Sequence, residues 1–304
     1  MFHFLDYIYR LSNKVSFWIK PRKLQKRVDT YPLLSSDGYA MHCQTSIGRD
    51  LDIDSLQGVI AGLREGSSFY VPGRFVNQLS EILPQIPVTL KSLVIGDDDI
   101  TPDPAVLELL RSRIEIISSV NLINISEGVR AIPLGLESPS YRSGGKLSDF
   151  RKLPKQVSKL RKFNFLVSWN QETNPLKRLE AMEAFEQVKN SLIFKKRITS
   201  QTVHNLMRKT LFVPCPRGNG LDTHRIWEAL YLGAIPVVLN SDRFAALEGW
   251  PILFIEEWKE IIEKSREELE AAYDALKIPY GELLNKSIEI YQGIHESPRT
   301  FGLD

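Results

Sequence analysis

The stretch LFVPCPRGNGLDTHRIWEALYLGAIPVV, Leu211 to Val238, decides the reading of the chain. An apolar run leads into a turn holding Gly218 and Gly220. Apolar residues at helical spacing follow, and Gly233-Ala-Ile-Pro236 returns straight into a second apolar run. The order is strand, turn, helix, strand. In such a unit the turn lies at the carboxyl end of the first strand, the edge of an open parallel sheet at which ligands bind. The turn glycines let the backbone approach a ligand closely, and the start of the helix presents unpaired amides with partial positive charge, which suits a phosphate. Asp222 or Thr223 is placed to cap the helix. At ~100° per residue, Ile226, Ala229, Leu230 and Gly233 face the sheet, while His224, Arg225 and Glu228 fall on the other side near the ligand end. Arg217 and Arg225 have the donor fork that neutralises a diphosphate, and an ionised Glu228 accepts from sugar hydroxyls. Arg225 and Glu228 also read simply as an i, i+3 ion pair on a solvated helix face.

Outward from this segment the alternation continues. Strands are expected at 163–167, 192–194, 235–239 and 252–255, with helices at 176–190, 200–208, 223–232 and 243–248 between them, the pattern of a doubly wound sheet. The first half reads in the same way. Strands are expected at 69–71, 93–95, 114–117 and 131–134, and helices at 75–83 and 104–111, the second opened by Asp103 and Pro104 as cap and first-turn residues. Between Ser138 and Lys162 the composition shifts to Ser, Gly, Lys and Arg, a linker whose charge is either solvated or turned to phosphate. The tail from Glu256 to about His295 is helical by pattern. The expected division is a basic amphipathic segment at 1–30, a first α/β unit at 31–145, a linker at 146–162, a second unit at 163–280, and a helix at 281–304 returning towards the first.

The bulk composition fits two soluble α/β units: 304 residues, 43% hydrophobic and 25% charged. The net charge of +2 conceals an asymmetry, because residues 1–27 carry seven Lys or Arg against one Asp and leave −4 for the remainder. Within that segment Phe4, Leu5, Ile8, Leu11, Val15, Trp18 and Ile19 share one helical face, followed by the run from Lys20 to Arg27. Such a segment either lies on an anionic membrane surface or packs on its own domain. Polar residues interrupt its apolar stretch and no A-x-A-like site follows, unlike a secretory signal. No run of ~18–20 apolar residues offers a membrane span. Cys43 and Cys215 lie far apart without C-x-x-C spacing, so a cytoplasmic protein is expected, with peripheral membrane contact through residues 1–27 as its one route to a bilayer.

Pro214, Pro216-Arg217-Gly218, Asp222-Thr223-His224-Arg225, Trp227-Glu228-Ala229 and Gly233-Ala-Ile-Pro236-Val-Val together resemble the signature of the exostosin-type glycosyltransferases, including the related ribitol-xylosyltransferase group. Upstream, Ile132-Pro133-Leu134-Gly135-Leu136 and Leu166-Val-Ser168-Trp-Asn170, then Thr173-Asn174-Pro175 and Arg178, agree in order and spacing. The likeness covers about residues 67–256. It implies a GT-B architecture, two Rossmann-like domains facing a cleft, with C-terminal helices packing back across. It also implies a nucleotide-sugar donor held by the second domain and a glycan, glycolipid or glycoprotein acceptor held by the first. On that basis Arg217, Gly218, Asp222, Thr223, His224, Arg225 and Glu228 line the donor site, and Asn170, Thr173 and Arg178 reach the donor phosphates. Arg178 also reads as an exposed helix residue beside Lys177.

Transfer requires a base for the acceptor hydroxyl and positive charge on the leaving diphosphate. Arginines and helix amides supply the latter, so no metal and no other cofactor is expected, and the resemblance leans towards inversion. Candidate bases are Asp37 on the Ser35-Ser36-Asp37-Gly38 turn, and Asp97, Asp98 or Asp99 after the strand at 93–95; the three consecutive aspartates also read as a solvated turn. Three rivals remain. Asp97 to Asp99 and the alternation Asp50, Asp52, Asp54 contain the Asp-x-Asp pattern of metal-dependent glycosyltransferases. A phosphotransferase is disfavoured by the lack of G-x-x-x-x-G-K-[ST] and of G-x-G-x-x-G after a strand. A non-catalytic glycan-binding or scaffold protein would not need the charged residues that are present. Nucleic acid is not an expected partner, since outside the tail and linker acids balance the basic residues.

Overall fold

The structure is a computed structural model that describes residues 27–48, 51, 53–139, 146–186 and 188–296. The amino-terminal amphipathic segment before Arg27, with its membrane or self-packing alternatives, lies outside the described residues, as do Asp50 and Asp52.

Two five-stranded parallel sheets carry the chain. The first contains β1 (Thr45–Ser46), β2 (Ser68–Pro72), β3 (Leu90–Gly96), β4 (Ile114–Ser119) and β5 (Val129–Ala131). Helices α1 (Ser36–Met41), α2 (Ile53–Ala61), α3 (Val76–Ile82) and α4 (Pro104–Arg111) accompany it. Its strands lie in chain order, each parallel to the next. The segment between the sheets forms α5 (Leu147–Phe150), and the second sheet contains β6 (Phe163–Ser168), β7 (Ser191–Phe194), β8 (Thr210–Pro214), β9 (Ile235–Leu239) and β10 (Leu253–Ile255). Helices α6 (Pro175–Phe185), α7 (Ser200–Met207) and α8 (His224–Tyr231) are its crossovers, and α9 (Lys259–Ile262), α10 (Arg266–Leu276) and α11 (Tyr280–Gly293) follow. Its order is β10-β9-β8-β6-β7, so the winding reverses between β6 and β8. The crevice outside the carboxyl ends of those two strands is where an open α/β sheet binds its ligand. The first sheet has no such reversal.

The strands form where apolar runs are buried on both faces, as β2 and β8 are along their whole length. Asp103 accepts from Ala105 N at 2.8 Å and Pro104 opens α4, as their types dictate. One core packs α3 and α4 on the first sheet and another packs α6 and α10 on the second. A third runs continuously from Leu33, Tyr70 and Val94 to Trp227, Tyr231 and Leu283, joining both halves. The last helix does cross back: the Tyr291 hydroxyl donates to Leu33 O at 2.7 Å, and the Tyr231 hydroxyl accepts from Leu34 N at 3.0 Å while meeting Ser287 Oγ at 2.8 Å. The α/β arrangement expected from the sequence, two parallel sheets with a returning C-terminal helix, is therefore present. Among the described residues no helix is long and apolar enough to cross a membrane.

Three local expectations are corrected. The strand expected at 131–134 ends at Ala131, because Pro133 has no N–H to give and the chain turns at Gly135, φ +75°. The helix expected at 243–248 is replaced by two single turns, at Asn240–Asp242 and Ala245–Leu247, on either side of extended Arg243 and Phe244. The helix expected over 176–190 stops at Phe185. In the linker Lys146, Arg151, Lys152, Lys155, Lys159 and Lys162 are exposed, as the solvated reading expects, but Arg161, 1% exposed, donates to the carbonyls of Met207, Thr210 and Leu232, where α7 and α8 end. A cation at those carboxyl ends offsets both helix dipoles.

Gly135 is the tightest point between the segment before α1 and the segment after β5. Leu136 N donates to Leu34 O at 2.7 Å, and a Cβ on Gly135 would overlap the Leu34 carbonyl. With a positive φ as well, Gly135→Ala is expected to cost roughly 2–4 kcal/mol. Urea unfolding measures it, and an unchanged midpoint would refute the account.

Candidate functional site at the seam of the two sheets

At the reversal of the second sheet, the carboxyl end of β6 leads into a turn at Gln171–Thr173. Asn170 closes it, its side chain accepting from Glu172 N at 3.2 Å and its carbonyl from Thr173 Oγ1 at 3.0 Å. Asn174 then starts α6 and sends Nδ2 to Gly218 O at 3.1 Å, tying this turn to the one after β8. Between the two turns stands Arg178, only 8% exposed. Nη1 donates to Asn170 O at 2.6 Å and Nε to Arg217 O at 3.4 Å, and Nη2 passes 2.8 Å from where a Cβ on Gly218 would stand. Both hydrogen-bond partners are neutral carbonyls, and among the described residues no carboxylate pairs with it. Burial and then the neighbouring Arg225 push its guanidinium down to about 10, which marks a charge lacking its counter-ion.

Arg225 and Glu228 form the i, i+3 ion pair, Nη1 to Oε2 at 2.8 Å. It is not on a solvated face: Glu228 is 8% exposed and His204 Nε2 lies 3.9 Å from its other oxygen. Burial alone would raise the Glu228 carboxyl, but Arg225 and then His204 outweigh it and hold the group below its ordinary range. His204 is itself buried in α7, with Nδ1 3.2 Å from Asp149 of α5. The sequence gives no sign of this chain of charges, since a single histidine on an amphipathic helix reads as core. Arg217 is half-buried, with Nε on Gly220 O at 3.1 Å and its terminal nitrogens without a partner among the described residues.

The other expected residues sit at the seam between the sheets. Thr223 is the N-cap of α8 but its side chain makes no cap hydrogen bond. Asp222, 3% exposed, accepts from Leu134 N at 2.8 Å, from Thr223 N at 2.6 Å and from Trp227 Nε1 at 3.0 Å. Asp222 thus fastens the turn after β8 to the first half rather than opening onto a ligand. His224 Nδ1 lies 2.8 Å from Gly135 O. A carbonyl only accepts, so Nδ1 carries the proton and Nε2 is the atom left open. Asn121, which sequence reasoning missed, completes the seam. In the left-handed region at φ +54°, it donates Nδ2 to Asp98 O and accepts from Asp222 N, both at 2.8 Å.

Of the expected bases, Asp37 is closed off. Asp37 is 4% exposed and accepts from Val28 N, Arg27 Nη1 and Ser138 Oγ. Asp97 is half-buried with φ +65°, and its N–H donates to Ser36 Oγ at 3.1 Å. Asp98 is held by Arg74, Nη2 to Oδ1 at 2.7 Å, so the run is not simply a solvated turn. Among the described residues no three His, Cys, Asp or Glu side chains gather where a metal ion would sit.

No family model and no curated protein sequence matches the chain. Solved structures do match by fold. One is a UDP-forming alpha,alpha-trehalose-phosphate synthase from Burkholderia vietnamiensis, at 10% identity and a TM-score of 0.44 over 78% of this chain and 73% of that one. Another is the trehalose-6-phosphate protein from E. coli bound with UDP-2-fluoro glucose, at 11% identity and 0.41 over 79% and 72%. A third, a UDP-forming synthase from Burkholderia xenovorans, has 10% identity and 0.43 over 90% and 84%. At such distances the likeness extends to no substrate and to no residue's role.

Burial raises the Asp222 carboxyl to about 6, against the pull of its N–H donors from Leu134, Trp227 and Thr223. An acid whose folded value lies above its unfolded one contributes stability that is complete below the unfolded value, about 4, and lost as pH rises through about 6. From pH 7 to pH 5, wild type should therefore gain roughly 1 kcal/mol relative to Asp222→Asn. Urea unfolding of both proteins at three pH values checks this, and a constant difference contradicts it.

Proposed function

We propose that the chain is a glycosyltransferase that moves a sugar from a nucleotide-sugar donor to a hydroxyl of a glycan or glycoconjugate acceptor. The observation that carries the reading is Arg178: a buried guanidinium at the reversal of the second sheet, with Arg225 beside it, no carboxylate partner among the described residues, and backbone glycine beneath its open nitrogen. A buried cation without an anion is costly, and a diphosphate laid across the Gly218 turn supplies two charges to meet it. Arg217 adds a second fork, and the amides at the start of α8 lie on the same edge.

In the reaction, charge grows on the leaving diphosphate oxygen. Arg178 and Arg225 stabilise it without reorganising, since each is already held, the first by two carbonyls and the second by Glu228. This charge arrangement supports a metal-independent enzyme. Glu228, kept ionised, is the acceptor for hydroxyls of the donor's ribose or sugar. The motif likeness supports placement among the exostosin-type enzymes, and the basic segment at 1–27 supports an acceptor presented at an anionic surface.

The test is thermal shift and calorimetry with UDP, GDP and CDP and their sugars, with and without EDTA, on wild type, Arg178→Lys and Arg225→Ala. One nucleotide should raise the wild-type melting temperature equally with and without chelator. Its affinity should fall roughly 10- to 100-fold in either variant, the loss of one or two charge-assisted hydrogen bonds. Binding that requires a divalent ion, or that ignores both arginines, defeats the proposal.

A further inference from the structure

Every carboxylate that the sequence offers as a base stands in the first half, and two of the four, Asp37 and Asp98, are consumed by their surroundings. Asp37 is bonded to a backbone amide, an arginine and a serine, and Asp98 accepts from the Arg74 backbone at 3.0 Å and from its guanidinium. Asp99 differs. It is exposed, and its Oδ2 faces Asn219 Nδ2 across the seam at 3.5 Å. Asn219 is the residue between Gly218 and Gly220, so Asp99 borders the turn over which Arg178 projects. Arg178 senses the Asp99 charge without pairing with it.

The platform beneath Asp99 is stiff. Asn121 holds the preceding carbonyl, Asp98 O, at 2.8 Å and with its other amide atom holds Asp222 N, so one side chain sets the spacing between the aspartate loop and the donor-side turn. Gly73 packs under the same loop, where a Cβ would meet Asp98 Cβ at 3.1 Å.

We propose that Asp99 is the catalytic base, the group that takes the proton of the acceptor hydroxyl. The inference rests on the donor-site reading above. The acceptor oxygen bonds to the anomeric carbon as its proton passes to Asp99. The bond from that carbon to the diphosphate oxygen breaks, and its electron pair leaves with the nucleoside diphosphate beside Arg178 and Arg225. One single displacement results, with inversion at the anomeric carbon. The two sides of the seam divide the work: cations on the second sheet receive the negative charge, and a carboxylate on the first receives the proton.

The experiment uses the full chain and the sugar nucleotide that stabilises wild type in the screen, with nucleoside diphosphate release to water as the readout and azide as a nucleophile that needs no deprotonation. Asp99→Ala should keep its melting temperature and bind the nucleotide as tightly as wild type or a few-fold tighter, since a negative charge near Arg178 is gone. Release to water should fall about 100-fold or more. Azide should restore it, yielding a glycosyl azide of inverted configuration. A variant that releases nucleotide within three-fold of wild type overturns the proposal, and more so if His224→Gln is the variant that stops. Azide that fails to restore release in Asp99→Ala also overturns it. Loss of nucleotide affinity in Asp99→Ala assigns the residue to donor binding instead. A wild type that binds no sugar nucleotide brings down the donor-site reading itself, which the calorimetry reports before any turnover is measured.

Discussion

Everything at the seam depends on one buried carboxylate. Asp222 accepts from a backbone amide of the first half, from the amide at the start of α8, and from an indole within α8. Three N–H groups aimed at one anion are a strong constraint, because displacing the acid would leave each donor buried and unpaired. Asn121 works in the same direction from the other side, spending both ends of its amide on backbone groups of the two halves. The turn containing Gly218 and Gly220 is therefore placed relative to the first sheet before any ligand arrives. Preorganisation of this kind is what electrostatic stabilisation requires.

The reversal of the second sheet explains why the arginines meet. Splaying β6 from β8 on that edge opens a crevice between two turns, and Arg178 fills its floor by bonding to carbonyls from both. Had it paired with an acid, its charge would be neutralised. The acid in this part of the molecule is instead assigned to Arg225, and His204 and Asp149 back it from behind. At this crevice Arg225 is thus balanced by a carboxylate, while Arg178 has only carbonyls. The first half presents its own charge differently: Asp98 is neutralised by Arg74, whereas Asp99 is exposed at the rim.

Much of this was readable in the chain. Buried parallel strands announce themselves as apolar runs, so β2, β3, β4, β6, β8 and β9 are legible to within a residue or two or a few at their ends. Asp103 and Pro104 mark the start of α4 because capping is a local matter. Arg217 and Arg225 are legible from turn and helix spacing, whereas Arg178 joins them only through the motif resemblance. The seam was not legible. Asp222 reads as a helix cap, and only a partner 88 positions away, Leu134, reveals that it is a fastener. Asn121 lies 101 positions from its second partner, and its left-handed backbone leaves no trace in a run of ordinary residues. The linker was legible in part: its basic composition suggests solvent and most of those residues are exposed, while Arg161 is spent on three carbonyls that only the folded chain assembles.

The core that runs unbroken from Leu33 to Leu283 has a consequence for how the molecule comes apart. Domains joined by a polar contact open and close as separate bodies, but here each half supplies the apolar lining that the other needs. Severing the chain in the linker would leave each sheet its own smaller core but open the shared one, so neither fragment inherits a complete interior. The two halves are therefore expected to denature together, with a denaturant sensitivity that reflects the surface of the whole chain.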